Sequence, residues 1–268
     1  MDRISPLPDD LILKILSFPP TKVAITTSLL SKRWRDVWKH VPKLEYFAPR
    51  ASTFIQNFLI LHKAPVLKTM HVELAQNHRP TDIEIWLRVA VERGVRKLRF
   101  HNNPFGPKEA IRLPGSLYTC QTLVSLTLLY TFIVDVPLTI CFPSLKTLRL
   151  RAPAMVFLVA RNHRQTPKLR VLRFRPIERC FDYVQIQWEQ TSSVPQCLIS
   201  SLKTVEWIDY QGRESEKKTV MYLLKNSGQL KKMAIKALPS TNLGDRYKML
   251  QELSSTQRSS KQCQFFFT

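Results

Sequence analysis

After residue 50, one pattern returns seven times along the chain: apolar-x-x-apolar-x-apolar. It appears as Leu67/Met70/Val72, Val95/Leu98/Phe100, Leu123/Leu126/Leu128, Leu145/Leu148/Leu150, Leu169/Leu172/Phe174, Leu202/Val205/Trp207 and Leu230/Met233/Ile235. The starts lie 28, 28, 22, 24, 33 and 28 residues apart. A period of that size holds one short strand and a return segment per unit. One unit cannot bury its own apolar face, whereas stacked neighbours bury it for one another. The pattern therefore predicts an irregular α/β solenoid, with parallel strands on a concave face and helices or loops on the other.

The return segments carry helix signals. Thr53-x-x-Gln56 and Thr81-x-x-Glu84 match the spacing of a capping box. After the second, Ile83, Trp86, Leu87 and Ala90 share a helical face, and Gly94 stands where a left-handed C-cap is needed. Residues 216–227 read as another helix, with Val220, Leu223 and Leu224 inward and Gly228 as its stop. Residues 242–253 read as helix too, and the alternation Cys263, Phe265, Phe267 as a closing strand. The Pro-containing returns near 104–119, 129–144 and 152–166 read as loops or single turns.

Strand side chains alternate, so positions between the apolar ones face outward. If the strands stack in chain order, Lys97, Arg99, Arg149, Arg151, Arg173 and Arg175 form one basic concave stripe. The planar fork of Arg suits carboxylate or phosphate recognition, which points to an acidic target segment. A solvated outer face is the plainer reading of the same charges.

The first forty residues follow a different logic. Asp9 and Asp10 open a helix where negative charge is favoured, and Leu11, Ile12, Ile15 and Leu16 fall on one side of it. Pro19 and Pro20 stop it. Thr21 can cap a second helix carrying Val23, Ile25, Leu29 and Leu30, and Ser31 a third carrying Trp34, Val37, Trp38 and Val41. So small and so apolar a segment suits a surface that another protein covers. A three-helix cap packed only on itself has the same spacing, and periodicity does not separate the two.

The order Leu7-Pro8-x-Asp10-Leu11, Ile15-Leu16 and Ser31-Lys32-Arg33-Trp34-Arg35-x-x-Trp38 resembles an F-box, in the version carried by the plant F-box/leucine-rich-repeat/FBD family. The resemblance implies docking onto a Skp-type adaptor of a cullin-RING (SCF) ubiquitin ligase. By position, Leu7, Pro8, Leu11, Ile15, Leu16, Leu29 and Trp34 would be the adaptor-facing and supporting set. Pro19 stands where the family carries Leu before Pro20-Thr21-Lys22. The stretch from Pro195 through Leu202-Lys203-Thr204-Val205-Glu206-Trp207, Tyr210-x-Gly212 and Tyr222-Leu223-Leu224-Lys225-Asn226 to Cys263 is similar to the FBD domain. The implied organisation is an F-box over 1–48, a shortened repeat region over 49–190 and an FBD continuing the solenoid over 191–268. Ala152–Gln165 stands where the family has an acidic, Leu-rich helix.

Composition bounds the function classes. The 268 residues carry 41 Lys plus Arg against 20 Asp plus Glu, a net charge of +21, which favours acidic partners. From Ala110 to Ile177 the only acidic residue is Asp135. Met1-Asp2-Arg3 leads into acids rather than an apolar signal core, and the apolar runs are too short to span a bilayer. Five scattered Cys without a C-x-x-C suit a reduced intracellular protein of cytoplasm or nucleus. Dispersed His, six Gly in no phosphate-cradling spacing and the lack of G-x-S-x-G or H-E-x-x-H predict no metal, no cofactor and no catalysis by this chain. Three functions remain open: substrate receptor of a ubiquitin ligase, basic nucleic-acid binder, or a scaffold without a ligase role. Against the second, Phe100, Phe174 and Trp207 fall at inward positions, where they cannot stack on bases.

Overall fold

The computed structural model describes residues 7–48, 52–74, 78–101, 111–129, 132–133, 142–151, 166–175 and 194–268. The expected change near Ala152–Gln165, much of the three Pro-containing returns, and Cys141 and Cys180 lie outside these residues.

The solenoid is built as the repeat predicts. Strands β1 (Lys43–Ala48), β2 (Thr69–Leu74), β3 (Lys97–His101), β5 (Ser125–Leu129), β7 (Thr147–Arg151), β8 (Val171–Phe174), β9 (Thr204–Tyr210), β10 (Lys232–Ala237) and β11 (Gln264–Phe267) form one parallel sheet in chain order. The short strands β4 (Ile111–Arg112) and β6 (Phe132–Ile133) pair beside it. The register aligns like with like: Met70, Leu98, Leu126, Leu148, Leu172, Val205 and Met233 form one row, and Val72, Phe100, Leu128, Leu150, Phe174, Trp207 and Ile235 the next. All the apolar pattern positions of the seven repeats are at most 4% exposed. Continuous rows of this kind are how stacked units hide what each alone would leave wet.

An eighth unit precedes the seven. Val41, Leu44 and Tyr46 are buried, and Leu44 and Tyr46 sit in register with Met70 and Val72. Sequence spacing places Val41 on the third helix, one turn beyond Trp38. In the structure that helix is short, Trp34–Val37 followed by a 3₁₀ turn Trp38–His40, and Val41 is already extended with ψ 117°.

Helix starts differ from expectation for a stated reason. Thr81 lies inside the first turn of the helix Pro80–Glu92, whose first position is taken by Pro80. Proline suits that position because its missing N–H would be unpaired there anyway. Thr53 likewise lies inside Ser52–Leu61. Thr21 begins the helix Thr21–Thr26 rather than capping it, and its hydroxyl accepts the Glu45 N–H at 2.8 Å instead. Ser31 stands three residues before Trp34, whose N–H reaches its hydroxyl at 3.4 Å. Gly94 does take the left-handed conformation, with φ 67°, closing Pro80–Glu92.

The helical head is fastened to the sheet at several points. Besides Thr21, the Lys43 ammonium donates to the carbonyls of Ser17 and Phe18 at 2.7 and 3.2 Å. His62, buried behind Val41, donates from Nε2 to the Val41 carbonyl at 2.9 Å. Its Nδ1 accepts from the Arg93 guanidinium at 2.9 Å, and Arg93 also reaches the Leu59 carbonyl at 3.0 Å. Because Arg can only donate, this contact fixes the Nε2–H tautomer of His62. Burial pushes the His62 pKa below its ordinary value, against the pull of the Val41 carbonyl.

Candidate docking surfaces

The first helix, Asp9–Leu16, splits its four apolar residues into two pairs. Ile12 and Leu16 enter the core, at 0% and 2% exposure, whereas Leu11 and Ile15 remain 47% and 44% exposed. The two pairs sit one position apart around the helix, so they occupy neighbouring faces and not one side. Arg33 clamps the start of this helix: its guanidinium holds the Asp9 carboxylate at 2.6 Å. Trp34 is buried at 4% and packs with Val37 and Trp38 inside the head. Within the expected adaptor set, Leu16 and Trp34 are therefore internal, Leu7 is half-buried, and Pro8, Leu11, Ile15 and Leu29 reach solvent.

The expected adaptor set leaves out Phe18, Val23 and Leu30, yet all three are exposed, as is Leu29 at 86%. These side chains concentrate uncovered apolar area in one short stretch. Uncovered apolar area concentrated in this way makes the stretch a candidate interaction site. The missed signal was that Phe18 follows the end of its helix and Leu30 precedes the next, where periodicity gives no direction.

On the concave face, the row opposite the core reads Glu45, His71, Arg99, Thr127, Arg149, Arg173 and Glu206 across β1 to β9. Lys97 and Arg175 stand exposed on flanking rows; the side chain of Arg151 lies outside the described ones. The stripe is not uniformly basic, because carboxylates close it at both ends. Glu73 meets Arg99 at 3.5 Å and His71 at 3.4 Å. Glu206 takes Arg173 through two contacts, of 2.5 and 3.2 Å. Asp209 takes Arg175 at 2.5 Å.

The last contact depends on a bulge. Ile235 pairs with Trp207, but Ala237 pairs with Tyr210, so β9 carries one residue more than β10 over this step. Asp209 sits there with φ 58°, in the left-handed region. The extra residue breaks strict alternation: it aims Asp209 at Arg175 and returns Tyr210 to the core at 1% exposure. Phe100, Phe174 and Trp207 are buried, so the basic positions have no stacking aromatic from these three.

Among the described residues no group of His, Cys, Asp and Glu could hold a metal. Cys120, Cys197 and Cys263 are buried and free, and burial raises the thiol pKa of Cys197 and Cys263. Among the described residues no helix is long and apolar enough to cross a membrane.

Comparison with known proteins finds matches at both ends of the chain and in its middle. The F-box domain profile matches residues 4–46, a profile described as "FBD-associated F-box protein At5g56370, LRR repeats" matches 83–157, and the FBD profile matches 189–235. FBD-associated F-box protein At5g56440 of Arabidopsis thaliana is 38% identical over 433 aligned positions, covering 100% of both chains. This chain belongs to the F-box/FBD/LRR family. F-box/FBD/LRR-repeat protein At4g26350 of the same plant is 29% identical over 436 positions, covering 100% of this chain and 99% of that one. FBD-associated F-box protein At4g10400 is 46% identical over 160 residues, 56% of this chain and 39% of the other. The 433-position alignment exceeds the 268 residues here while both proteins are covered whole, so this family member lacks internal length. The F-box of the family indicates an interaction with Skp-type adaptors and a general role in ubiquitin-ligase assembly.

Proposed function

We propose that the chain is the substrate-recognition subunit of an SCF-type cullin-RING ubiquitin ligase. One observation carries the reading: Leu11, Ile15, Phe18, Val23, Leu29 and Leu30 are exposed on a head whose own core, built on Ile12, Leu16, Trp34 and Trp38, is already complete. The head has no packing use for the exposed set, and an adaptor covering it would remove that area from water. The expected adaptor-facing residues are then Leu7, Pro8, Leu11, Ile15 and Leu29, supported from within by Leu16 and Trp34. The concave face, with Lys97, Arg99, Arg149, Arg151, Arg173 and Arg175, presents a target of acidic character. The mechanism is proximity: holding target lysines near a charged conjugating enzyme raises their effective concentration, and this chain makes no bonds itself.

The test is capture of a Skp-type adaptor by the wild-type chain and by Leu29→Asp and Leu11→Asp. A charge placed in a buried apolar contact costs several kcal/mol, so each variant should bind at least tenfold more weakly while keeping the circular-dichroism spectrum of the wild type. Equal capture by all three, or none by the wild type, ends the reading.

A further inference from the structure

The ion pairs on the concave face divide its arginines unequally. Arg99 leans to Glu73, Arg173 is held by Glu206 and Arg175 by Asp209. Arg149, on the strand beside Arg173 and two strands from Arg99, contacts no carboxylate among the described residues. Its Nε is sealed from solvent yet hydrogen-bonds to nothing among them. Thr127, in register between Arg99 and Arg149, is 6% exposed although it belongs to the outward row. Burial, and after it the charges of Arg173 and Arg99, push the Arg149 pKa below its ordinary value. Guanidinium groups that repel one another, with a dry unused donor at their centre, gain most from a small anion that accepts from several at once.

We propose that Arg149, flanked by Arg99 and Arg173, binds a single oxyanion carried by a peptide, a carboxylate or a phosphate group, and so anchors the target segment. The word target rests on the receptor reading; the anion site does not. The geometry selects one group and not a polyanion. Arg99 to Arg173 spans three strand spacings, about 14 Å. Beyond those limits lie Glu73 on one side and Glu206 and Asp209 on the other, which a nucleic-acid backbone would meet as repulsion.

The experiment titrates the full chain with inorganic phosphate, acetate and chloride at constant ionic strength, reading the unfolding midpoint and the heat of binding. Phosphate or acetate should raise the midpoint saturably while chloride does not. Preference for phosphate assigns the group to a phosphoryl side chain, and parity assigns it to a carboxylate. Arg149→Gln should unfold at a higher temperature than wild type without added anion, because it relieves the repulsion, and should bind phosphate at least tenfold more weakly. Arg149→Lys, which keeps the charge but not the fork, should fall between. Arg175→Gln, already neutralised by Asp209, should respond as wild type. A response that survives Arg149→Gln, or one that chloride reproduces, overturns the site. Arg149→Gln should retain adaptor capture and Leu29→Asp should retain phosphate binding, so failure here and failure of the receptor reading are separate results.

Discussion

Asp209 shows how much one residue can set. A non-glycine residue at φ 58° costs about 1–2 kcal/mol against its preferred backbone, and Asp tolerates the region better than a branched side chain does. The bulge it forms decides that Arg175 is neutralised and that Tyr210 is buried. Asp209→Val should therefore lose about 2 kcal/mol in urea unfolding, since Cβ branching adds to the strain. Asp209→Gly removes that strain while losing a half-buried pair, and the two effects oppose, so it should stay within about 1 kcal/mol of wild type. None of this could be read before the fold, because Asp209 and Arg175 stand 34 residues apart and become neighbours only through register. By contrast, the inward role of Trp86 and the left-handed turn at Gly94 were plain, since both follow from local helical geometry.

At the level of elements, the helix Glu214–Asn226 depends on a buried carboxylate. Glu216 is 6% exposed and its Oε2 accepts the N–H groups of Gln211 and Arg213 at 2.9 and 3.2 Å, pairing donors of the turn that leads into the helix. Burial raises its pKa despite those bonds. A carboxyl with a raised native pKa contributes stability that is whole below its unfolded value, near 4.5, and that drains away as pH climbs through the native value. Glu216→Gln keeps an oxygen for both N–H groups without the charge. Its stability relative to wild type should therefore grow between pH 4 and pH 7, measured by denaturant midpoints. Glu216→Ala leaves both donors dry and should cost about 2 kcal/mol at pH 7. A midpoint difference between wild type and Gln that is flat with pH would refute the burial argument. The sequence pattern pointed to a helix here but not to its cap, because Glu216 is the accepting half of a box whose usual Ser or Thr partner is replaced by Arg213.

For the molecule as a whole, strand order repeating chain order means that each unit leans only on its neighbours. A central loss should spread and a terminal one should not. Leu148→Ala, inside β7, should cost about 3 kcal/mol and speed amide exchange across β5 to β8. Phe265→Ala on the half-buried last strand should act only on β10 and β11. Equal spread from both positions would contradict a nearest-neighbour ladder. The ladder was legible because its period is set by backbone geometry, and every repeat position quoted proved internal. Its first rung was not, since Val41 also completes a helical series with Trp34, Val37 and Trp38. The apolar head was half legible: the expected adaptor-facing and supporting set joins exposed Leu11 and Leu29 with internal Leu16 and Trp34 and leaves out Phe18, because facing at a helix end depends on tertiary contacts. The clasp of His62, Arg93, Lys43 and Thr21 across the junction has a consequence for reach. A head bolted to its first rung leaves no free joint, so a cargo gripped at Arg149 would travel as on a fixed crane arm. In the proposed receptor, how far that cargo stands from the machinery would be set by the tally of rungs, and a relative with more rungs would deliver different lysines even if it gripped the same cargo.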